Sequence, residues 1–202
     1  MPTEGRGVAG VVLAAGSSAR MGRNKLLLEL GGETVVRRAV RATVEAGLDP
    51  VVVVLGHEAQ RVESELSGLP FLAVLNPDHA QGAGTSLRAG VRRAATTAGA
   101  IVVVLADMPF VCAGMIETLV ERYRATGAPL VVSLYGDVEA PPILYDRSLF
   151  AELLSVRGES CAKQVVRRHK HEAATVAWPE HALRDLDVVE DYERVRADLA
   201  GG

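Results

Sequence analysis

Aromatic side chains are scarce in this chain, at 4% of its residues. That supply disfavours a single-strand nucleic-acid platform, where successive bases stack on aromatic rings. A surplus of positive charge is also missing: 22 Lys and Arg stand against 25 Asp and Glu, for a formal net charge of −3. Without a basic footprint to displace counterions from a phosphate backbone, general nucleic-acid binding is disfavoured too. A polyanionic ligand must therefore be held locally, by a few cations, backbone amides or a metal. Cysteine is nearly absent, with Cys112 and Cys161 the only two and no CxxC spacing. This points to neither a disulfide framework nor a zinc site. Long hydrophobic runs are lacking as well. Val8–Ala15 contains Gly10 and falls far short of the ~20 apolar residues that span a bilayer. No basic flank and cleavage pattern marks a signal peptide. These absences read as a reduced, cytoplasmic protein with neither nucleic acid nor membrane as partner.

What is present is a globular balance, 49% hydrophobic and 23% charged over 202 residues, the size of one domain. Short aliphatic runs alternate with amphipathic stretches. Val8–Ala14, Val51–Leu55, Phe71–Leu75, Ala100–Ala106 and Leu130–Leu134 read as strands, several of them apolar at consecutive positions, as in a parallel sheet covered on both faces. Thr34–Ala46, His57–Leu66, Gly84–Ala98 and Ala113–Thr126 carry apolar residues at helical spacing. Further on, Pro141-Pro142 marks a turn before the short run Ile143–Tyr145. Helices are expected over Arg147–Val156, Ser160–Arg168 and Val188–Leu199, with a strand near Ala173–Ala177. This alternation predicts a single α/β domain over 1–202, with a mostly parallel sheet flanked by helices on both faces. Ligands of such sheets bind beyond the carboxyl ends of the strands, so the residues following each run are where chemistry is expected.

The first run leads into Gly16-Ser17-Ser18-Ala19-Arg20-Met21-Gly22-Arg23-Asn24-Lys25. Small residues let backbone N–H groups wrap an anion, and Arg20 and Lys25 add full charges. The glycine spacing fits neither a Walker A loop nor a dinucleotide fingerprint; a flexible surface loop has similar composition. A second glycine-rich turn, Asn76-Pro77 followed by Gly82-Ala83-Gly84-Thr85-Ser86-Leu87-Arg88-Ala89-Gly90, enters a helix whose N-terminus offers free N–H groups. A plain structural cap would look the same. Asp107 ends the otherwise apolar Val102–Ala106. A carboxylate there is costly unless paired, and it suits Mg²⁺, which takes one or two carboxylates together with waters and phosphates. Capping of the next helix is the plainer alternative.

From Leu13 to Leu27 the pattern Leu-Ala-Ala-Gly-x-Ser-x-Arg-Met-Gly-x-x-Lys-Leu-Leu resembles the opening motif of the molybdenum-cofactor nucleotidyltransferases, with their Rossmann-like fold. The resemblance implies nucleotide contacts at Leu13, Ala14, Ala15, Gly16 and Ser17, with Arg20 and Lys25 neutralising the triphosphate. It extends the nucleotide set to Asn76, Gly82 and Ser86, with Gly56 beside the base. Ala15 resembles the branch that uses CTP, where the GTP branch more often has glycine. Asp107-Met108-Pro109 is similar to the family's metal-binding motif. Asp185-Leu186-Asp187-Val188-Val189-Glu190-Asp191-Tyr192 resembles its late acidic segment, so Asp187, ahead of Asp185, is implied as the second metal ligand. An acidic first turn of the last helix explains the same residues.

Three residues depart later: Cys161 and Lys163 interrupt a Gly-Asp-x-Gly-Ala-Arg pattern, and Pro141 replaces a frequent histidine. The basic run Arg167-Arg168-His169-Lys170-His171 suits a solvated helix end or an anionic acceptor. The resemblance implies an Mg²⁺-dependent enzyme that transfers CMP from CTP to molybdopterin with release of pyrophosphate. Its nucleotide-binding part covers about 8–110 and its acceptor-binding part about 130–190, and Lys25, Arg20 and Asp107 are its catalytic set. A molybdoenzyme would receive the product. A phosphate monoester nucleophile is already largely ionised near neutral pH, so no general base is needed. Use of GTP, another small phosphate acceptor, or a non-catalytic nucleotide-binding accessory role are the alternatives.

Overall fold

A computed structural model describes residues 7–18, 22–155, 157, 161–183 and 191–193. Its elements follow in order as β1 (Val8–Ala14), β2 (Glu29–Leu30), β3 (Glu33–Thr34), α1 (Val35–Glu45), β4 (Val51–Leu55), α2 (Ala59–Ser64) and β5 (Leu72–Leu75), then α3 (Ala83–Ala94), β6 (Ala100–Leu105), α4 (Ala113–Thr126), β7 (Leu130–Tyr135), β8 (Val138–Asp146), α5 (Phe150–Ser155), α6 (Cys161–Arg168) and β9 (Ala174–Trp178). Seven strands form one sheet in the order β5-β4-β1-β6-β8-β7-β9. β8 alone runs against its neighbours, and the other pairings are parallel.

Alternation along each strand divides the core in two. Val12, Val53, Val102 and Val131 face α1 and α4, where Val36, Val40, Ile116 and Leu119 meet them. Val11, Val54, Ile101 and Val132 face α3, α5 and α6, against Leu87, Val91, Leu153 and Val165. Both faces of the central strands are thus dry, and all five residues of β4 are buried, which is why the runs are apolar throughout rather than alternately.

Gly90 sets how closely α3 approaches this sheet. A Cβ there would lie 2.4 Å from Val11 Cγ1 and 3.0 Å from Val54 Cγ2. Gly90→Val is therefore expected to destabilise the fold by about 1–3 kcal/mol through overpacking, read as a lower urea midpoint at unchanged slope. An unaltered midpoint would mean that α3 does not bear on β1 as described.

The C-terminal third corrects one expectation. Pro141-Pro142 makes no turn; both residues lie inside β8. The β7–β8 register shifts between Val132, opposite Ile143, and Ser133, opposite Ala140, so the two prolines form the extra length of a bulge. Proline donates no ladder hydrogen bond and is tolerated there. Side chains take up the freed carbonyls: Ser133 Oγ donates to Pro142 O at 2.6 Å and Tyr135 Oη to Pro141 O at 2.8 Å. The small β2–β3 hairpin, too short to carry a pattern, is an addition. Arg147–Leu149 opens as a 3₁₀ turn before α5. The last helix falls largely outside the described residues, of which 191–193 are helical. No helix of the described residues is long and apolar enough to cross a membrane.

Candidate active site

Parallel pairing brings the carboxyl ends of β4, β1 and β6 side by side, and Ala106 N–H donates to Leu13 O at 3.2 Å just beyond the ladder. The chain leaving β1 passes Ala15, Gly16 and Ser17 to Ser18, which adopts a left-handed φ of 50°. Strained residues of this kind concentrate at functional loops. Ser18 Oγ accepts the Lys25 N–H at 3.0 Å, and Asn24 Oδ1 accepts that of Leu26 at 3.1 Å. These two caps fix the 3₁₀ turn Lys25–Leu27, from which Lys25 Nζ reaches Asp107 Oδ2 at 2.6 Å. The two side chains are only 13% and 22% exposed, so each offsets the other's desolvation cost. Residues 82 positions apart in sequence thus share one ion pair.

Sequence reasoning passed over the support beneath Asp107. Arg38, on α1, donates from Nε to Pro109 O at 2.9 Å and lies 3.6 Å from Glu33 Oε1, which Arg41 holds at 2.6 Å. The Arg41 hydrogen bond, helped by its charge and that of Arg38 against the opposing effect of burial, keeps the Glu33 carboxyl below the usual carboxylate range. Arg38 looks like any polar position of an amphipathic helix, so no spacing could have revealed it. Ser18 stood in the loop motif, but only its backbone angle singles it out.

A second cluster lies beyond β5. Asn76 is buried; its N–H donates to Leu55 O at 2.8 Å, and its Nδ2 to Thr85 Oγ1 at 2.8 Å and Ser86 Oγ at 2.9 Å. Asn76 Oδ1 accepts the Asp78 N–H at 3.1 Å. Gly82, with φ 105°, precedes α3 as its N-cap, a conformation open to glycine. The expected residues Asn76, Gly82 and Ser86 therefore share one turn. Gly56 joins this turn to the first loop. A Cβ there would lie 2.7 Å from His79 Cβ and 2.8 Å from Ala15 Cβ, and the next residue, His57, donates its N–H to Ala15 O at 3.3 Å. Its glycine is thus required by packing in addition to any ligand role.

Arg20, Asp185 and Asp187 lie outside the described residues. Nearby, Tyr192 Oη donates to Glu29 O at 2.9 Å, and the Arg23 guanidinium lies 5.6 Å from its ring centroid, tying residue 192 to the segment after the first loop. Among the described residues no three His, Cys, Asp or Glu side chains gather as a metal cage. A single carboxylate such as Asp107 is compatible with an ion of the Mg²⁺ type, which takes one or two carboxylates and keeps several waters.

Residues 10–173 match the MobA-like NTP transferase domain. The chain is 31% identical over 203 residues to the purine catabolism protein PucB of Bacillus subtilis, covering 95% of this chain and 97% of that protein. It is 38% identical over 204 residues to a probable molybdenum cofactor guanylyltransferase of Opitutus terrae, covering 97% and 98%. Among solved structures it superimposes on Rv0371c of Mycobacterium tuberculosis with a TM-score of 0.84 at 28% identity, covering 95% of this chain and 98% of that one. A manganese complex of the same mycobacterial protein matches over the same shares with a TM-score of 0.76. With its loops meeting at the carboxyl edge of a mostly parallel sheet, the chain belongs to the MobA-like NTP transferase family and is a nucleotidyltransferase.

Proposed function

We propose that this nucleotidyltransferase transfers CMP from CTP to the phosphate of a molybdopterin-type acceptor, releasing pyrophosphate. The observation that carries the reading is the 2.6 Å contact between Lys25 and Asp107, which sets a cation and a carboxylate together at the end of the first loop. The acceptor oxygen attacks the α-phosphorus, and the bond from that phosphorus to the β-phosphate bridging oxygen breaks. Such chemistry asks a protein for positioning and charge neutralisation. Lys25 and Arg20 stabilise the charge that builds on the departing pyrophosphate. The backbone from Leu13 to Ser17 wraps the triphosphate, while Gly56, Asn76, Gly82 and Ser86 border the nucleoside. Asp107, with Asp187 as its partner, would hold a divalent ion, Mg²⁺ in our reading, that neutralises phosphate charge when bound. The nucleotide part covers about 8–110 and the acceptor part about 130–190. The protein acts in the cytoplasm and passes its product to a molybdoenzyme.

Transfer of GMP is the second reading, favoured by the name of the 38% identical relative. One experiment separates them. Binding raises apparent stability by RT ln(1 + [L]/Kd), so in a panel of four nucleoside triphosphates with Mg²⁺, CTP is expected to raise Tm the most. Pyrophosphate release with molybdopterin should then follow the same base. A larger shift with GTP would replace the first reading by the second. Tight binding without pyrophosphate release would turn the protein into a nucleotide-binding accessory.

A further inference from the structure

Lys25 is only as well placed as the turn that carries it. Ser18 and Asn24 cap that turn from its N-terminal side. On its far side the chain runs into β2, half of a hairpin in which Glu29 pairs with Thr34 and Leu30 with Glu33. A hairpin so short is at best marginally stable by itself in water, so its position depends on what holds it from outside. The Val35 N–H at the start of α1 holds Leu28 O at 2.9 Å, and Tyr192 supplies a second tie from 163 residues along the chain. Tyr192 is 9% exposed and belongs to the same core as Leu26 and Leu30. Its Oη donates to Glu29 O at 2.9 Å, and the Arg23 guanidinium stands 5.6 Å from its ring centroid, inside the ~6 Å reach of a cation–π contact. One side chain thus touches the chain both shortly before Lys25, at Arg23, and shortly after it, at Glu29.

On the reading of Lys25 as the cation that neutralises the departing pyrophosphate, we infer that Tyr192 is a positioning residue for Lys25, bracketing its turn from both sides. It acts through the turn. The physical basis is preorganisation: an ammonium aimed at developing charge is worth most when nothing has to reorganise as the charge appears, and ~1 Å of misplacement can cost about 10²-fold in rate. A tyrosine suits this task, because its rigid ring packs in the core while its hydroxyl fixes one carbonyl in direction. Phenylalanine supplies the ring alone, and leucine neither the ring nor the hydroxyl.

The test measures pyrophosphate release by the full chain with molybdopterin and Mg²⁺, using CTP and GTP in parallel, well below the Tm of every variant. Tyr192→Phe keeps the buried ring and loses one hydrogen bond, so kcat is expected to fall about 3–10-fold, with the nucleotide KM within about 2-fold. Tyr192→Leu gives up both contacts and is expected to fall further, by at least about 10-fold. A residue that only stabilised the fold would lower Tm and leave kcat of the folded protein intact. On the Lys25→Ala background, Tyr192→Phe is expected to change kcat by less than about 2-fold, because no ammonium is left to place. Unchanged kcat in Tyr192→Phe, equal falls in the Phe and Leu variants, or a full fall on the Lys25→Ala background would each overturn the role. Each of these outcomes leaves release by the unaltered chain in place. If the unaltered chain releases no pyrophosphate with either nucleotide, the nucleotidyl-transfer reading itself falls, and the positioning role with it.

Discussion

Lys25→Ala is expected to lower turnover by about 10²-fold or more, with a smaller change in apparent nucleotide affinity. On the proposed reading, an ammonium delivered by a fixed turn would stabilise the charge that grows as pyrophosphate departs, and removing one preorganised donor of this sort costs about 10²–10³ in rate. The turn is capped twice, by Ser18 on the Lys25 N–H and by Asn24 on the Leu26 N–H, so the loss should come from the side chain and not from collapse of the loop. Steady-state pyrophosphate release separates kcat from KM. A loss confined to KM would mean that Lys25 holds nucleotide equally in ground and transition states, and normal turnover would remove it from the site. Lys25→Arg keeps the charge, but its planar fork suits a different geometry, so rescue should be incomplete.

Asp107→Asn is expected to have the second large effect, a fall of about 10²-fold at limiting Mg²⁺ that high Mg²⁺ relieves in part. The amide is nearly isosteric with the carboxylate, so the circular dichroism spectrum should stay close to that of the unaltered chain, while the urea midpoint falls because the poorly exposed Lys25 loses its counter-charge. Arg38 bonds the Pro109 carbonyl rather than the carboxylate, which leaves the loop supported in the variant. Unchanged activity at limiting Mg²⁺ would take Asp107 out of any metal site. Because Lys25 and Asp107 touch at 2.6 Å, their effects should not add. A double-mutant cycle is expected to show coupling, as it does for residues in direct contact. Full additivity would mean that the contact has no part in the reaction.

The pair also bears on how the site is poised before nucleotide enters. A carboxylate at the end of the apolar β6 has little solvent to stabilise it, and the lysine supplies the missing counter-charge. On the proposed reading, an entering triphosphate would offer the ammonium a second anionic partner and free the carboxylate oxygens for a cation. The sign of the site's field is set by few groups, which agrees with a chain of net charge −3 that nonetheless handles a polyanion.

The amino-acid sequence by itself determined the α/β layering and the sheet edge at which the candidate loops gather. Runs such as Val51–Leu55 are apolar at every position because both faces of the sheet are covered, and hydrophobic burial is a property that composition and spacing record directly. The loop from Leu13 to Lys25, the turn from Asn76 to Ser86 and Asp107 all follow strands, so their joint position at the carboxyl edge was legible once the strands were. Only the tertiary structure decided which side chains meet. The Lys25–Asp107 pair, the Arg38–Pro109 bond and the wedge of Ala15 and His79 around Gly56 join distant segments, and no periodicity encodes a contact between elements that neither share a helix face nor pair as strands. The Pro141-Pro142 segment shows the same limit from the other side: local chemistry reads as a turn, while pairing with both β6 and β7 draws the segment through as a bulged strand. Each proline forfeits one ladder hydrogen bond, worth about 0.5–1.5 kcal/mol, whereas the burial gained by completing the sheet is worth about 1.5–3 kcal/mol for each large apolar side chain, and the larger quantity wins.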